Sequence, residues 1–170
     1  MTFKDLCEAR YSCRSYKKEE IPQDKLDYIW ECARLAPSAC NKQPWLLRYV
    51  SSAEGLAALQ ACYNREWLKT APALILVSVR KDGAWVRQAD GKNHGDVDAS
   101  IITEHICLAA AEQGLATCWI CNFNVALCRE LMEMGETEEP VVILPIGFPA
   151  DTAPAKKRKE LEEIVKLQTI

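Results

Sequence analysis

Residues 98–120 read DASIITEHICLAAAEQGLATCWI, a long helix followed by a strand. The spacing of apolar residues predicts a helix from Asp98 to about Gln113. Gly114 is predicted to end it, because glycine readily adopts the left-handed conformation that closes a helix. Residues 115–120 are predicted to form a short strand. The residues that share one face of the helix are Ile102, His105, Ile106 and Ala109.

Around this unit, further helices and strands alternate along the chain. Residues 72–79 and 141–148 are almost wholly apolar, as in strands buried on both faces, and residues 46–50 are predicted to be another strand. Residues 81–95 are charged and lack periodicity, which predicts a surface loop. The alternation alone favours a parallel βαβ sheet. Helices are predicted over 3–8, from Pro22 to before Pro37 (with Leu26, Ile29, Trp30 and Ala33 inward), over 53–62, and over 124–134 with Asn124 as N-cap.

The composition is typical of one globular domain over residues 1–170. Hydrophobic residues make up 49% and charged residues 26% of the chain, which argues against disorder and a coiled coil. A net charge of −3 predicts no nucleic-acid partner. No apolar run approaches the roughly 18 residues of a membrane helix, so no membrane partner is expected. The charged N-terminus and the nine cysteines predict reduced thiols in the cytoplasm.

Several common catalytic motifs are missing from the sequence. There is no G-x-G-x-x-G after a strand, no Walker loop, no H-E-x-x-H and no G-x-S-x-G. The only histidines are His94 and His105, although histidine is the usual proton carrier of enzymes. The chain is therefore either not an enzyme or one whose chemistry belongs to a cofactor.

The pair Cys118 and Cys121 forms a C-x-x-C at the end of an apolar strand rather than at the start of a helix. A helix N-terminus would lower a thiol pKa and activate it for redox chemistry. Two structural cysteines are the favoured interpretation, and a thiol redox site is the alternative. No second C-x-x-C completes a zinc site, and no metal site is predicted.

Two basic segments lie near opposite ends of the chain. In extended backbone, Arg10, Ser12 and Arg14 share one side, an arrangement that suits a phosphate or carboxylate. A solvated arginine pair is equally compatible with this pattern. Residues 156–159 read KKRK, and if they folded back beside Arg10 the two segments could clamp one phosphate. Residues 36–45 read APSACNKQPW. This segment is interpreted either as a set of hydrogen-bond donors around a planar ligand or as a turn anchored by a tryptophan.

Together these pieces resemble the FMN-dependent nitroreductase family. Arg10-x-Ser12-x-Arg14 is similar to its R-x-S-x-R/K opening, and residues 36–45 to its A-P-S-x-x-N-x-Q-P-W segment. Residues 98–120 are similar to its central helix and strand. Residues 145–149, PIGFP, resemble its late P-x-G-[YF]-P, and residues 156–165 its closing stretch. The five pieces are collinear over nearly the whole chain.

The resemblance implies an α+β fold, a three-layer α-β-α arrangement with a mixed, mainly antiparallel central sheet. It implies a homodimer with FMN in each of two clefts at the subunit interface. The tail, residues 156–170, is expected to wrap onto the partner subunit. NADH or NADPH is the implied reductant, and a small-molecule electron acceptor such as a nitroaromatic or quinone the implied substrate, in ping-pong exchange on flavin N5.

The resemblance also implies roles at the phosphate end of the cofactor. Arg10 and Ser12 are expected to meet the FMN phosphate and ribityl chain, and Lys156 and Arg158 to close over the phosphate. Arg14 is expected near flavin N1 and O2, where its charge would favour the reduced, negatively charged ring. No side chain of this chain is implied as a general acid.

Further residues are implied along the flavin ring. Asn64 matches a position that hydrogen-bonds the pyrimidine edge, and the Cys121 backbone N–H is a candidate donor to N5. Where some larger members carry a glutamate and a lysine, this chain has Cys121 and Trp67, and it lacks their long helical insertion. Ile120 is a further implied ring contact. Three other residues are implied to reach the flavin that is bound mainly by the other subunit, namely Pro37, Ser38 and Asn41.

Two alternatives remain at this point. The same flavin fold supports dehalogenation, flavin destruction and FMN-dependent dehydrogenation in related families. The second alternative is a protein without the flavin reaction: either a non-enzymatic flavin-binding protein or a thiol redox protein that uses Cys118 and Cys121.

Overall fold

The computed structural model describes residues 2–168. Met1 lies outside the described residues, as do Thr169 and Ile170, the end of the predicted tail. Two short 3-10 helices, Ala39–Asn41 and Glu66–Thr70, accompany the regular elements. These elements are α1 (Phe3–Ala9), α2 (Gln23–Arg34), β1 (Trp45–Val50), α3 (Ala53–Cys62), β2 (Ala73–Arg80), α4 (Gly95–Glu112), β3 (Ala116–Thr117), α5 (Val125–Leu131), β4 (Glu138–Gly147) and α6 (Leu161–Ile164).

The four strands form one sheet in the order β1-β2-β4-β3, and every neighbouring pair is antiparallel. The antiparallel α+β fold is confirmed, and the parallel sheet favoured by simple alternation is wrong. The connection through α4 does join two strands of the same direction, β2 and β3. The last strand, β4, lies between them and runs the opposite way, so the sheet is antiparallel.

Two apolar cores lie on opposite faces of the sheet, which makes the fold three-layered. Side chains alternate across a strand, so Ile75 and Val77 of β2 pack with α2 and α4. Leu74 and Leu76 of the same strand pack with α3 and α5 on the other face. The uninterrupted apolar sequence of β2 is explained by this burial on both sides.

Several element boundaries differ from those predicted. The central helix begins at Gly95 rather than Asp98, with His94 as its N-cap, because the chain enters it from an ordered turn. Residues 81–95 are not a featureless loop, since Val86 pairs with Asn93 and the rings of Trp85 and His94 lie 5.0 Å apart. The Asn124 cap is confirmed by its side-chain hydrogen bond from the Leu127 N–H.

The strand predicted over residues 115–120 is shorter than expected. Only Ala116–Thr117 pairs continuously with β4, and the chain rejoins the sheet at Ile120, opposite Ile143. The Ile120 N–H donates to the Ile143 carbonyl at 3.1 Å, and the Ile143 N–H donates back at 3.0 Å. This interrupted edge strand leaves Cys118 buried and Cys121 exposed.

A buried ion pair fastens β1 and β2 to the start of β4. The Arg48 guanidinium hydrogen-bonds both carboxylate oxygens of Glu138, whose side chain is 6% exposed, and the Ser78 hydroxyl donates to the same carboxylate. The bonds from Arg48 hold the pKa of Glu138 below its ordinary value against the opposing effect of burial. Removing one partner of such a pair leaves a poorly solvated charge.

We therefore expect Glu138→Gln to lower the free energy of unfolding by about 2–3 kcal/mol in urea denaturation near neutral pH. Because the folded-state pKa is depressed, the stabilisation is present above the ordinary value of 4.5 and is lost as pH falls through the folded-state value. The difference between the two proteins should shrink accordingly below that pH. Glu139→Gln is the control, because Glu139 pairs with the exposed Lys81, and should cost under about 0.5 kcal/mol. Equal losses in the two variants would contradict the prediction.

Candidate functional site

The segment that follows α1 extends the edge of the sheet. Ser12 pairs with Thr117 in parallel, the one bridge of that direction between described residues, and the Cys13 N–H donates to the Thr117 carbonyl at 3.0 Å. Tyr16 pairs with Pro149, just beyond β4. Cys13 and Tyr16 are buried, whereas Ser12 and Arg14 are exposed. The hydroxyl and guanidinium that alternate with Cys13 therefore face solvent.

A cleft of about 200 Å³, which we call the Arg10 cleft, lies beside this segment. Its walls are built from both ends of the chain, and Pro154 and Ala155 carry the closing segment across it. Five predicted cofactor-binding residues line it. Four were expected at the phosphate, namely Arg10, Ser12, Lys156 and Arg158, and the fifth, Arg14, was expected near flavin N1 and O2.

The side chains of this cleft carry positive charges that repel one another. Burial, together with the nearby charges of Arg10 and Arg158, lowers the pKa of Lys156. The Lys156 ammonium is also held in place, since its Nζ donates to the Cys7 carbonyl of α1 at 2.6 Å. A site in which fixed cations repel one another is stabilised by an anion that sits between them. The cleft is therefore an anion-binding arrangement.

One acidic side chain already interacts with the cations of the cleft. Glu104 of α4 lies 3.7 Å from the Arg10 Nε. The Arg10 side chain is 21% exposed and the Glu104 side chain 46% exposed, so water screens the pair in part. Glu104 holds the Arg10 guanidinium against α4, and it competes with any anion for that charge.

Asp151 fastens the arginine segment and was not predicted from the sequence. Its carboxylate accepts from the Tyr11 hydroxyl at 2.8 Å, the Cys13 thiol at 3.1 Å and the Arg14 N–H at 2.9 Å. Burial opposes its ionisation, but these hydrogen bonds outweigh burial and lower the pKa of Asp151. No periodicity marks this residue; its place two residues after the PIGFP segment is the only available signal.

The thiols near the cleft are not activated. Burial raises the pKa of Cys118, even though Arg14 is close enough to lower it. Burial and the bond to Asp151 raise the pKa of Cys13 to about 11. Reactive cysteines need the opposite shift, so these observations argue against the thiol redox alternative.

The predicted ring contacts within this chain lie at a neighbouring turn. Ile120 is buried at the sheet edge, while Cys121 and Asn64 are exposed. The Asn124 N–H donates to the Cys62 carbonyl at 2.9 Å, which ties the turn after Cys121 to the end of α3, just before Asn64.

Pro37, Ser38 and Asn41 do not line the Arg10 cleft of their own chain, as judged from residues 2–168. They belong to the turn between α2 and β1, where the Gln43 N–H donates to the Ser38 Oγ at 2.8 Å. A buried carboxylate at the start of α4 accepts from the Ala39 N–H at 2.8 Å. The structure thus places the predicted site residues in three groups: the Arg10 cleft, the turn with Ile120 and Cys121 beside Asn64, and the turn between α2 and β1.

Within the described part of the chain, no cluster of three or more histidine, cysteine, aspartate or glutamate side chains has a metal-binding arrangement. None of the helices there is long and apolar enough to cross a membrane.

Comparison with known proteins identifies the family. The Nitroreductase family profile matches residues 7–61 and 53–148. The chain is 30% identical over 152 residues to a protein of Methanothermobacter thermautotrophicus, named provisionally as an NADH dehydrogenase/NAD(P)H nitroreductase, covering 84% of this chain and 74% of that protein. It is 26% identical over 189 residues to the iodotyrosine deiodinase of Hydra vulgaris, covering 92% and 69% of the two chains.

Solved structures show the same relationship. A nitroreductase family protein from Clostridium difficile 630 superposes with a TM-score of 0.93 at 37% identity, over 100% of both chains. An FMN-dependent nitroreductase from Clostridium difficile R20291 gives a TM-score of 0.83 at 26% identity, over 97% of this chain and 98% of that one. The chain belongs to the Nitroreductase family of flavin oxidoreductases.

The Asp151 contacts generate a prediction about the arginine segment. We expect Asp151→Ala to lower the free energy of unfolding by about 2 kcal/mol, because the Arg14 N–H loses its acceptor and the Tyr11 hydroxyl and Cys13 thiol each lose one of two acceptors. Amide hydrogen exchange at Arg14 should accelerate. Asp90→Asn is the control, since Asp90 pairs with Arg87 on the exposed surface, and should change stability by under about 0.5 kcal/mol. Unchanged Arg14 exchange in the alanine variant would remove Asp151 from this role.

Proposed function

We propose that the Arg10 cleft binds the phosphate of FMN, and that the protein is an oxidoreductase using NADH or NADPH to reduce an electron-poor small molecule. The observation that carries this proposal is the meeting of Arg10 and Arg14 with Lys156 and Arg158 at one cleft. A doubly charged phosphate monoester suits several charge-assisted donors, each contributing about 1.5–3 kcal/mol. The Ser12 hydroxyl adds a neutral donor at the same edge.

FMN, when bound, supplies the acceptance and delivery of an electron pair, and the residues of this chain bind and orient it. Arg10 and Lys156 are held by Glu104 and by the Cys7 carbonyl, so part of their ordering is complete before the phosphate binds. Arg14 is fixed at its backbone by Asp151. Its guanidinium places a positive charge beside the cleft, which favours a ligand that becomes more negative on reduction.

The predicted homodimer remains a proposal, and two surface features support it. An apolar groove of about 530 Å³ lies among α1, α2 and α4, and Leu6, Ile101 and Leu108 line it. In the closing segment, Leu161, Ile164 and Leu167 are between 62% and 93% exposed. Exposed apolar surface of this kind is typical of a protein interface. A second copy of the chain is the occupant that the family resemblance implies, with FMN at the interface and Pro37, Ser38 and Asn41 completing it.

Dehalogenation is the second candidate reaction. The similarity to an iodotyrosine deiodinase over 92% of this chain favours it as an alternative to the reduction of nitroaromatics or quinones. Both reactions need the same phosphate cleft, so they differ in the substrate and not in the cofactor. A non-enzymatic flavin-binding role remains an alternative, and a cytoplasmic location remains a prediction.

The cofactor proposal predicts a difference between FMN and riboflavin, which lacks the phosphate. We expect Arg10→Ala to weaken FMN binding by about 10- to 100-fold, measured by fluorescence titration, because one charge-assisted bond to the phosphate is lost. Riboflavin binding should change by less than about twofold, since its affinity does not depend on that bond. Arg34→Ala, which removes an exposed arginine of α2 paired with Glu31, should change neither affinity. A wild-type protein that binds no FMN would refute the proposal.

The reaction proposal is tested by rapid mixing without oxygen. NADH or NADPH should bleach the bound flavin, and a nitroaromatic or quinone should restore its absorbance in a second, separate step. Restoration by a halogenated phenol with halide release, and not by the nitroaromatic or quinone, would favour dehalogenation. Flavin that neither pyridine nucleotide bleaches would contradict the NAD(P)H-dependent reaction while leaving FMN binding intact.

A further inference from the structure

Asp98, in the first turn of α4, is a buried acidic side chain. The residue is 1% exposed. Its Oδ1 accepts from the Ala39 N–H at 2.8 Å. Its Oδ2 has no hydrogen-bond partner among residues 2–168. The Nε2 of His94, the N-cap of the same helix, is likewise buried without a partner in that range. Both atoms belong to the start of α4, one to its N-cap and one to its first turn.

The stability of the fold does not account for a carboxylate at this position. Burying a carboxyl group with one hydrogen bond costs free energy relative to an apolar side chain that fills the same space. The N-terminal helix dipole offsets part of this cost, and Asp96 in the same turn already interacts with the dipole from an exposed position. A buried polar group with an unused oxygen therefore calls for another explanation. The hydrogen bond from the Ala39 N–H to Asp98 supplies that explanation.

That contact holds a strained turn. Cys40, Asn41 and Gln43 have φ values of 49°, 53° and 48°, the left-handed region that non-glycine residues seldom adopt. Three such residues in four positions persist only where neighbouring contacts hold them, and they are common at ligand sites. The other hydrogen bonds of this turn run within it, from Asn41 to Ser38, from Lys42 to Ala39, and from Gln43 to Ser38 and Asn41.

Among residues 2–168, the bond from Ala39 to Asp98 is the one hydrogen bond that ties residues 38–43 to another element. The turn is otherwise anchored through its chain ends, at α2 and at Pro44, whose carbonyl accepts from the Arg80 N–H at 2.8 Å. Without Asp98, the turn would keep its internal bonds but lose its fixed position relative to α4.

We propose that Asp98 is a positioning residue for flavin binding: its carboxylate fixes the turn of residues 38–43 so that Ser38 and Asn41 can meet the flavin ring. This inference rests on the proposed function and adds a residue that acts through Ala39 rather than by touching the ligand. The turn and the Arg10 cleft then make separable contributions to binding. The turn acts on the ring, which FMN and riboflavin share, and the cleft acts on the phosphate, which only FMN carries.

The experiment compares FMN and riboflavin binding to the wild-type protein, Asp98→Ala and Asp98→Asn. Asp98→Ala should weaken the binding of both flavins by the same factor, about tenfold, because the turn loses its hydrogen bond to α4, and should change the visible spectrum of bound flavin. Asp98→Asn retains an oxygen that can accept from the Ala39 N–H, so it should restore affinity to within about threefold. Asp96→Asn, which removes an exposed charge from the same helix turn, is the matched control and should leave both affinities and the spectrum unchanged.

A fold readout accompanies these titrations, since a buried substitution can unfold the chain. If Asp98→Ala does not fold, Ala39→Pro breaks the same bond from the other side, because proline has no N–H. Ser38 already has the extended backbone, φ −138° and ψ 161°, that a residue before proline requires. Ala39→Pro should then show the loss expected of Asp98→Ala.

The outcomes separate the two proposals. Wild-type protein that binds neither flavin overturns the proposed function and the role of Asp98 with it. Wild-type protein that binds FMN, together with a folded Asp98→Ala or Ala39→Pro variant that behaves like Asp96→Asn, overturns the role of Asp98 alone. A loss restricted to FMN would place the effect at the phosphate and also overturn it.

Discussion

The backbone of residues 12–17 lies between two parts of the sheet edge, and the candidate site depends on this placement. The Cys13 N–H donates to Thr117 at 3.0 Å, the Lys17 N–H to Phe148 at 2.9 Å, and the Ala150 N–H returns to Ser15 at 2.8 Å. Gly147 makes the close approach possible, because a Cβ there would lie 2.7 Å from the Pro72 ring and 3.3 Å from Tyr16. Once these bonds form, the first arginines and the closing segment must lie side by side, although more than 140 residues separate them.

This placement explains how an acidic protein can present a basic cleft. The net charge of −3 describes the whole chain. The sheet edge nevertheless brings together cations from both ends of the chain, and the nearest acidic groups do not neutralise them all. Asp151 is occupied by Tyr11, Cys13 and the Arg14 backbone. Glu104 faces Arg10 from a partly exposed position, where an anion of higher charge competes with it effectively. Overall composition therefore excluded nucleic acid as an expected partner without excluding a local anion site.

Local patterns in the sequence predicted most elements of the fold. They did not predict how strands that are distant in the sequence pair with one another. The apolar runs of β2 and β4, the inward face of α2 and the Asn124 cap all follow from short-range physics. The insertion of β4 between β2 and β3 does not, because strand order depends on contacts between distant residues. The family resemblance predicted the antiparallel sheet where the alternation of elements favoured a parallel one.

The candidate site divides in the same way. Arg10, Ser12 and Arg14 are recognisable because their alternation is local, and the basic run at the other end is recognisable by charge. Asp151 and Asp98 carry no such signal: each is a single acidic residue whose role appears only when the fold brings a distant backbone N–H to it. Single residues that act through a neighbour's backbone are therefore the part of a site that sequence patterns are least able to reveal.

The geometry of α4 links the Arg10 cleft to the turn of residues 38–43. Asp98 contacts the turn of residues 38–43 and Glu104 contacts Arg10. They are six residues apart on one helix, which corresponds to an axial rise of about 9 Å and a rotation of about 120° between the two side chains. One chain thus presents the phosphate cleft and the turn toward different sides of its central helix. In the proposed dimer, the cleft of one copy and the turn of another would contact the same cofactor, so cofactor binding and subunit association would stabilise each other.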